Sequence, residues 1–154
     1  FNTLTPPVSI IATDIDTNVL ESAARGIYTL DRLDKMPEAR ARRFFLRGKG
    51  DQAGMVRVRP ELRQLISFQP LNLLAASWPI RGPFDAIFCR NVMIYFDKPT
   101  QSKILARFVP LMKPQGLLFA GHSENFMYVS EFLKLRGKTV YELDSHASRM
   151  RHAS

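Results

Sequence analysis

The run FDAIFC ends at Cys89 and is followed at once by Arg90 and Asn91. An arginine beside an amide at the end of an apolar strand sets a rigid fork of N–H donors next to a group that both donates and accepts. Such a pair meets either a structural carboxylate or a polar ligand. Two other positions have the same character. Asp14 closes the β-rich run from Val8 to Thr13. A carboxylate at the carboxyl end of a parallel strand can accept hydrogen bonds from both hydroxyls of an adenosine ribose. Its competing role is to cap the following helix, with Asp16 the rival acid at the helix start. Asn72 with Leu73, in FQPLNLL, can hold an adenine edge while the leucine covers its face, or can simply be a turn asparagine. If neighbouring strands present all these groups, three strand ends converge on one ligand crevice.

A different chemistry is suggested by RGKGDQAGMVR, with Gly48, Gly50 and Gly54 between Arg47 and Arg57. A nucleotide fingerprint needs a strand before it and a helix after it, whereas β-like runs flank this loop on both sides. A glycine-rich hairpin turn explains the glycines. A hairpin edge with arginines beside it can also receive an acidic peptide.

These groups need elements to carry them. The strand closing on Asp14 is followed by a helix from Asn18 to about Arg25, capped by Thr17 and ended by Gly26. A short helix is predicted from Pro37 to about Phe44. The runs Phe44–Arg47 and Met55–Arg59 form a hairpin, and Leu65–Phe68 is a further strand of the same inserted antiparallel sheet, at about residues 44–68. FDAIFC is predicted to be a buried strand. An amphipathic helix follows with Ile104, Leu105, Phe108 and Leu111 on one face, stopped by Pro114 and Gly116. LLFAG is the next strand, and FLKLRGKTVYEL forms a hairpin turning at Arg136-Gly137. The first residues resemble a helix end, residues 1–143 form one domain, and residues 144–154 are a tail. The class is α/β.

Composition narrows the partners. The chain has 154 residues, 22 basic against 14 acidic, and a net charge of +8, which favours anionic partners. A single cysteine excludes an internal disulfide and a cysteine-rich zinc site, and His122, His146 and His152 lack ligand spacing, so no metal is expected. No apolar stretch is long enough to span a bilayer, and a cytoplasmic location without membrane insertion is expected.

The segments ATDIDTNVLESAARGIY, RFFLRGKGDQAGMVRVR, GPFDAIFCRNVMIYFD and LMKPQGLLFAGHSENF resemble the chemotaxis receptor methyltransferases, the CheR family. The resemblance implies a Rossmann-like class I methyltransferase fold that uses S-adenosyl-L-methionine (SAM), yields S-adenosyl-L-homocysteine, and esterifies glutamates on chemoreceptor cytoplasmic helices. It implies a ribose-binding role for Asp14, and cofactor-pocket roles for Asn72, Leu73, Arg90 and Asn91. Tyr95 matches an active-site tyrosine near the transferred methyl group, with Arg90 shaping the electrostatics. Arg47, Gly48, Gly50, Gly54 and Arg57 match an inserted β-subdomain that in some members grips the receptor's C-terminal pentapeptide. The family's N-terminal helical domain, first Rossmann strand and glycine loop have no counterpart here, so an N-terminally truncated fold and weak methyl transfer by this chain alone are expected. The rival functions are a receptor-tail-binding module without cofactor, a methyltransferase with another substrate, and an RNA-binding domain; the last lacks a platform of stacking aromatics, and no nucleic-acid partner is expected.

Overall fold

The computed structural model describes residues 3–122, 124, 126 and 132–144. The chain divides into two units, Phe1–Trp78 and Pro79–Ser154. In the first, strand β1 (Ile10–Asp14) leads into helix α1 (Thr17–Arg25). The helix cap is Asp16, not Thr17: its carboxylate accepts from the N–H groups of Asn18 and Val19, while Thr17 is already helical. Asp16 has the extended backbone that aims a short acidic side chain at these orphan donors. Gly26 closes the helix in the left-handed conformation at φ 62°. Arg63 then donates from Nε and Nη2 to the Ala24 carbonyl, satisfying an acceptor that the helix end leaves open.

A three-stranded antiparallel sheet follows, in the order β2 (Ile27–Thr29), β4 (Met55–Val58), β3 (Phe45–Arg47), with helix α2 (Glu38–Phe44) leading into β3. The predicted hairpin is present, and β2 is an additional strand on its other side. After the four-residue helix α3 (Pro60–Arg63), strand β5 (Ile66–Pro70) pairs in parallel with β1, Asp14 lying opposite Pro70. This corrects the assignment of Leu65–Phe68 to the antiparallel sheet, and with it the limit of the insert near residue 68. The apolar run is satisfied by pairing with β1 across more than fifty residues, a partner that local pattern does not specify.

In the second unit the sheet order is β6 (Phe84–Cys89), β7 (Met112–Ala120), β9 (Val140–Leu143), β8 (Leu133–Gly137). β6 and β7 are parallel, whereas β7–β9 and β9–β8 are antiparallel. The expected buried strand is an edge strand of this sheet, and of its residues only Cys89 is buried. Helix α4 (Lys98–Phe108) starts at Asp97, whose carboxylate accepts from Thr100 N–H. It buries Ile104, Leu105 and Phe108, as their spacing requires. The helix ends earlier than predicted: Pro110 cannot extend the backbone ladder, a 3-10 turn spans Val109–Leu111, and Pro114 and Gly116 lie inside β7. The core of this unit includes Met112, Leu118, Phe126, Tyr141 and Leu143.

Two smaller expectations also change. The β8–β9 hairpin turns at Lys138-Thr139 rather than at Arg136-Gly137, with Lys138 taking the positive φ of 51°. Residues 3–5 form bends rather than a helix end. The predicted tail beyond Asp144, and Ser123 and Asn125 of GHSENF, lie outside the described residues.

Leu105 is fully buried. Its replacement by alanine is expected to lower stability by about 2–5 kcal/mol, measured by urea unfolding. A loss below about 1 kcal/mol would show that the α4 contact is not a packed core position.

Candidate functional site

Parallel pairing brings chemically capable residues to strand ends in both units. In the first, Asp14 is the last residue of β1, and the chain leaving β5 is fastened beside it by Leu71 N–H donating to the Asp14 carbonyl at 2.8 Å. Asp14 is half-buried, and its Oδ1 accepts from Asp16 N–H at 3.0 Å. It therefore shapes the turn while Asp16 caps the helix. Asn72 forms the turn anticipated for it, with Oδ1 accepting from Leu74 N–H at 2.8 Å. Leu73, next to it, accepts from the Trp78 indole N–H through its carbonyl.

In the second unit, Arg90 and Asn91 follow directly from β6, beside the end of β7. Their immediate partners answer what a charged and an amide residue meet there. Arg90 Nη2 lies 3.4 Å from His122 Nδ1. Asn91 adopts the left-handed conformation at φ 58°, which asparagine tolerates better than most residues. The αL residue followed by Val92 in αR aims successive N–H groups to one side, an anion-binding arrangement.

The anion is supplied by the chain itself. Glu124 is buried, and its carboxylate accepts from Asn91 (3.1 Å), Val92 (3.0 Å), Met93 (2.8 Å) and Gly121 (2.6 Å) N–H groups. A buried carboxylate is tolerable only when its acceptor sites are filled in this way. From the other side, the Gln101 amide of α4 donates to the carbonyls of Met93 and Phe96, both at 2.8 Å. At Gly121 an added Cβ would lie 2.6 Å from Asn91 Oδ1 and 2.7 Å from Glu124 Oε2, so a larger residue would displace one of these side chains. Neither Glu124 nor Gln101 was singled out from the sequence. The available signal was an acid in LLFAGHSENF with no basic neighbour except His122. Tyr95 closes the short 3-10 turn Met93–Tyr95 and is 80% exposed.

The insert residues have a different geometry. Leu46 pairs with Arg57 and Arg47 with Val56, so the two arginines project from opposite faces of the sheet. Gly48 is required by close approach, since a Cβ would meet the Gln52 carbonyl oxygen, while Gly50 and Gly54 take φ of 57° and 86°. No group of three or more metal-ligating side chains occurs among the described residues, and no described helix is long and apolar enough to cross a membrane.

Each unit taken by itself offers groups of the types that bind parts of SAM: in the first, a strand-end carboxylate and an amide, which suit ribose hydroxyls and an adenine edge; in the second, a guanidinium, which suits a carboxylate. Comparison with known proteins identifies the family. Residues 2–141 match the family model described as CheR methyltransferase, SAM binding domain. The chain is 59% identical over 136 residues to chemotaxis protein methyltransferase 2 of Pseudomonas aeruginosa, covering 88% of this chain and 49% of the relative. It is 64% identical over 132 residues to the chemotaxis protein methyltransferase of Klebsiella aerogenes, covering 86% and 46%. Against the protein of that name from Escherichia coli the identity is 58% over 134 residues, covering 87% and 47%. The chain thus spans about half the length of the curated relatives it matches.

Cys89, the residue before the turn, is buried, and its thiol is pushed up from 9.0 to about 12, first by burial and then by the Glu124 charge. Stability held by the neutral thiol is complete below about pH 9 and is lost as pH rises towards 12, by ~1.4 kcal/mol per unit. Urea unfolding of the parent should therefore show an alkaline loss that Cys89→Ala lacks. Identical pH dependence in both proteins would contradict the shift.

Proposed function

Because the chain belongs to the CheR methyltransferase family, whose matched domain binds SAM, we propose that it carries the cofactor-binding part of an enzyme that methylates glutamate side chains of chemotaxis receptors. The observation that carries the reading is the placing of Asp14 as the last residue of a parallel strand, in a chain matched to a SAM-binding domain over nearly its whole length. The names of the relatives, chemotaxis protein methyltransferases, support the receptor as substrate.

When bound, SAM supplies a methyl group already made electrophilic by its sulfonium. A glutamate side chain, with an ordinary pKa of about 4.3, is ionised near neutral pH and needs no general base. The methyl would pass from sulfur to one carboxylate oxygen, so the products would be a glutamyl methyl ester and S-adenosyl-L-homocysteine. The protein's task is placement and exclusion of water. In the first unit Asp14 would accept from the ribose hydroxyls and Asn72 and Leu73 would take the adenine; in the second, Arg90 and Asn91 would offer polar contacts. The Tyr95 hydroxyl orients the acceptor carboxylate, and Arg90 biases the local field towards anions.

The antiparallel insert is the proposed receptor-tail site. β3 lies at the edge of its sheet, where an extended pentapeptide can add as a further strand. Arg47 on β3 and Arg57 one strand inward face opposite sides, so they serve different carboxylates of an acidic tail. Gly48, Gly50 and Gly54 hold the turn that aligns the two strands.

In a protein of the relatives' full length, Asp14→Ala is expected to weaken SAM binding by about 1.5–3 kcal/mol in calorimetry. Asp16→Ala should instead cost about 1 kcal/mol of folding stability and leave affinity intact. Unchanged affinity in Asp14→Ala would remove it from the ribose site. For the insert, an acidic receptor-tail pentapeptide titrated into this chain should bind, and Arg57→Ala should weaken it about tenfold, the scale of one charge-assisted hydrogen bond. Equal affinities would take Arg57 out of the interface.

A further inference from the structure

We infer that Glu124 is a positioning residue for the cofactor site: its buried carboxylate holds the Arg90–Asn91 turn in its binding shape. The inference rests on the reading of that turn as part of the SAM site. The hydrogen bonds of the Glu124 carboxylate run to main-chain N–H groups, so it would act through the backbone. It takes up the N–H groups of Asn91, Val92 and Met93, which the left-handed residue at 91 turns to one side, and the N–H of Gly121 at the end of β7. The turn after one parallel strand is thereby fastened to the turn after its neighbour. Both oxygens are used, Oε1 on Val92 and Met93 and Oε2 on Asn91 and Gly121, so the carboxylate acts as a two-sided bridge.

The bridge is itself anchored. Glu124 N–H donates to the Gly121 carbonyl. Two residues further on, Phe126 is fully buried against Tyr141 of β9, and its N–H donates to the tyrosine hydroxyl at 3.0 Å. Glu124 therefore hangs from the sheet core, and the turn hangs from Glu124. Without an anion the converging N–H groups lose their shared acceptor, and the left-handed backbone at Asn91 loses what favours it over extended conformations. Arg90 would then sample several directions, and binding would carry the cost of ordering it again.

A neutral carboxamide keeps the size of Glu124 but turns an N–H₂ group towards donors. Glu124→Gln, in a protein of the relatives' full length, is the direct test, with SAM affinity from calorimetry, thermal unfolding, and amide hydrogen exchange at residues 91–93. The expected result is binding weakened about tenfold or more together with faster exchange at those amides. Leu105→Ala, remote from the turn, should lose stability and keep its affinity within about twofold. Should Glu124→Gln fail to fold, Glu124→Asp, which keeps the charge on a shorter reach, is expected to fold and to bind SAM more weakly. Parent-like affinity in whichever of the two folds, or a loss no greater than that of Leu105→Ala, overturns the inference. Arg90→Ala and Asn91→Ala separate it from the reading beneath it. If both bind SAM as the parent does, the site assignment fails and the inference falls with it. If they weaken binding and the Glu124 variants do not, the turn is the site but Glu124 does not hold it.

Discussion

Parallel strand pairing is the constraint on which the rest depends. Two strands that run the same way deliver whatever follows them to one edge of their sheet. β1 and β5 do this for Asp14 and Asn72, and β6 and β7 do it for Arg90, Asn91, Gly121 and Glu124. The same geometry explains why so much hydrogen bonding is spent just beyond the strands. The backbone leaves the ladder there, and its N–H and C=O groups need new partners. Asp14, Asn72 and Glu124 each supply a side-chain oxygen to such a group.

Glu124 shows how a buried charge can serve order rather than reactivity. Its acceptor sites meet main-chain donors, and no described Lys or Arg pairs with it in a salt bridge. Gln101 treats the carbonyls of the same turn in the complementary way. The segment bearing Arg90, Asn91 and Tyr95 is consequently fixed through its backbone, and the arginine and tyrosine side chains remain exposed to solvent. Burial of Cys89 at the end of β6 raises its thiol, and the charge of Glu124 in the loop beside it raises it further. That cysteine is thus a packing residue rather than a nucleophile.

The antiparallel insert obeys the other strand rule, alternation. Side chains a single register step apart point to opposite faces, which divides Arg47 from Arg57 although both flank one turn. It also leaves β3 as an edge and makes β4 the central strand, so backbone pairing is available beside Arg47 and not beside Arg57. An extended partner has the same alternation, and one strand added at β3 presents side chains to both faces.

Local signals were legible in the sequence because their causes lie within a few residues. The α1 stop at Gly26, the spacing of Ile104, Leu105 and Phe108, the hairpin between Arg47 and Met55, and the strand-end positions of Asp14 and Arg90 could all be identified from neighbours in the chain. So could the family, whose motifs are contiguous. The cap of α1 lies one residue before the expected Thr17, because Asp16 and Thr17 are both good caps and only the backbone angles choose between them. What the tertiary structure decided was every choice of distant partner. Ile66–Pro70 could have joined either sheet by its pattern, and pairs with β1. Glu124 finds donors thirty-one to thirty-three residues away as well as three. An apolar run or a lone acid states only that it must be buried or satisfied; which group satisfies it depends on how strands align in space, and that is settled by the free energy of the assembled sheet rather than by any stretch of chain.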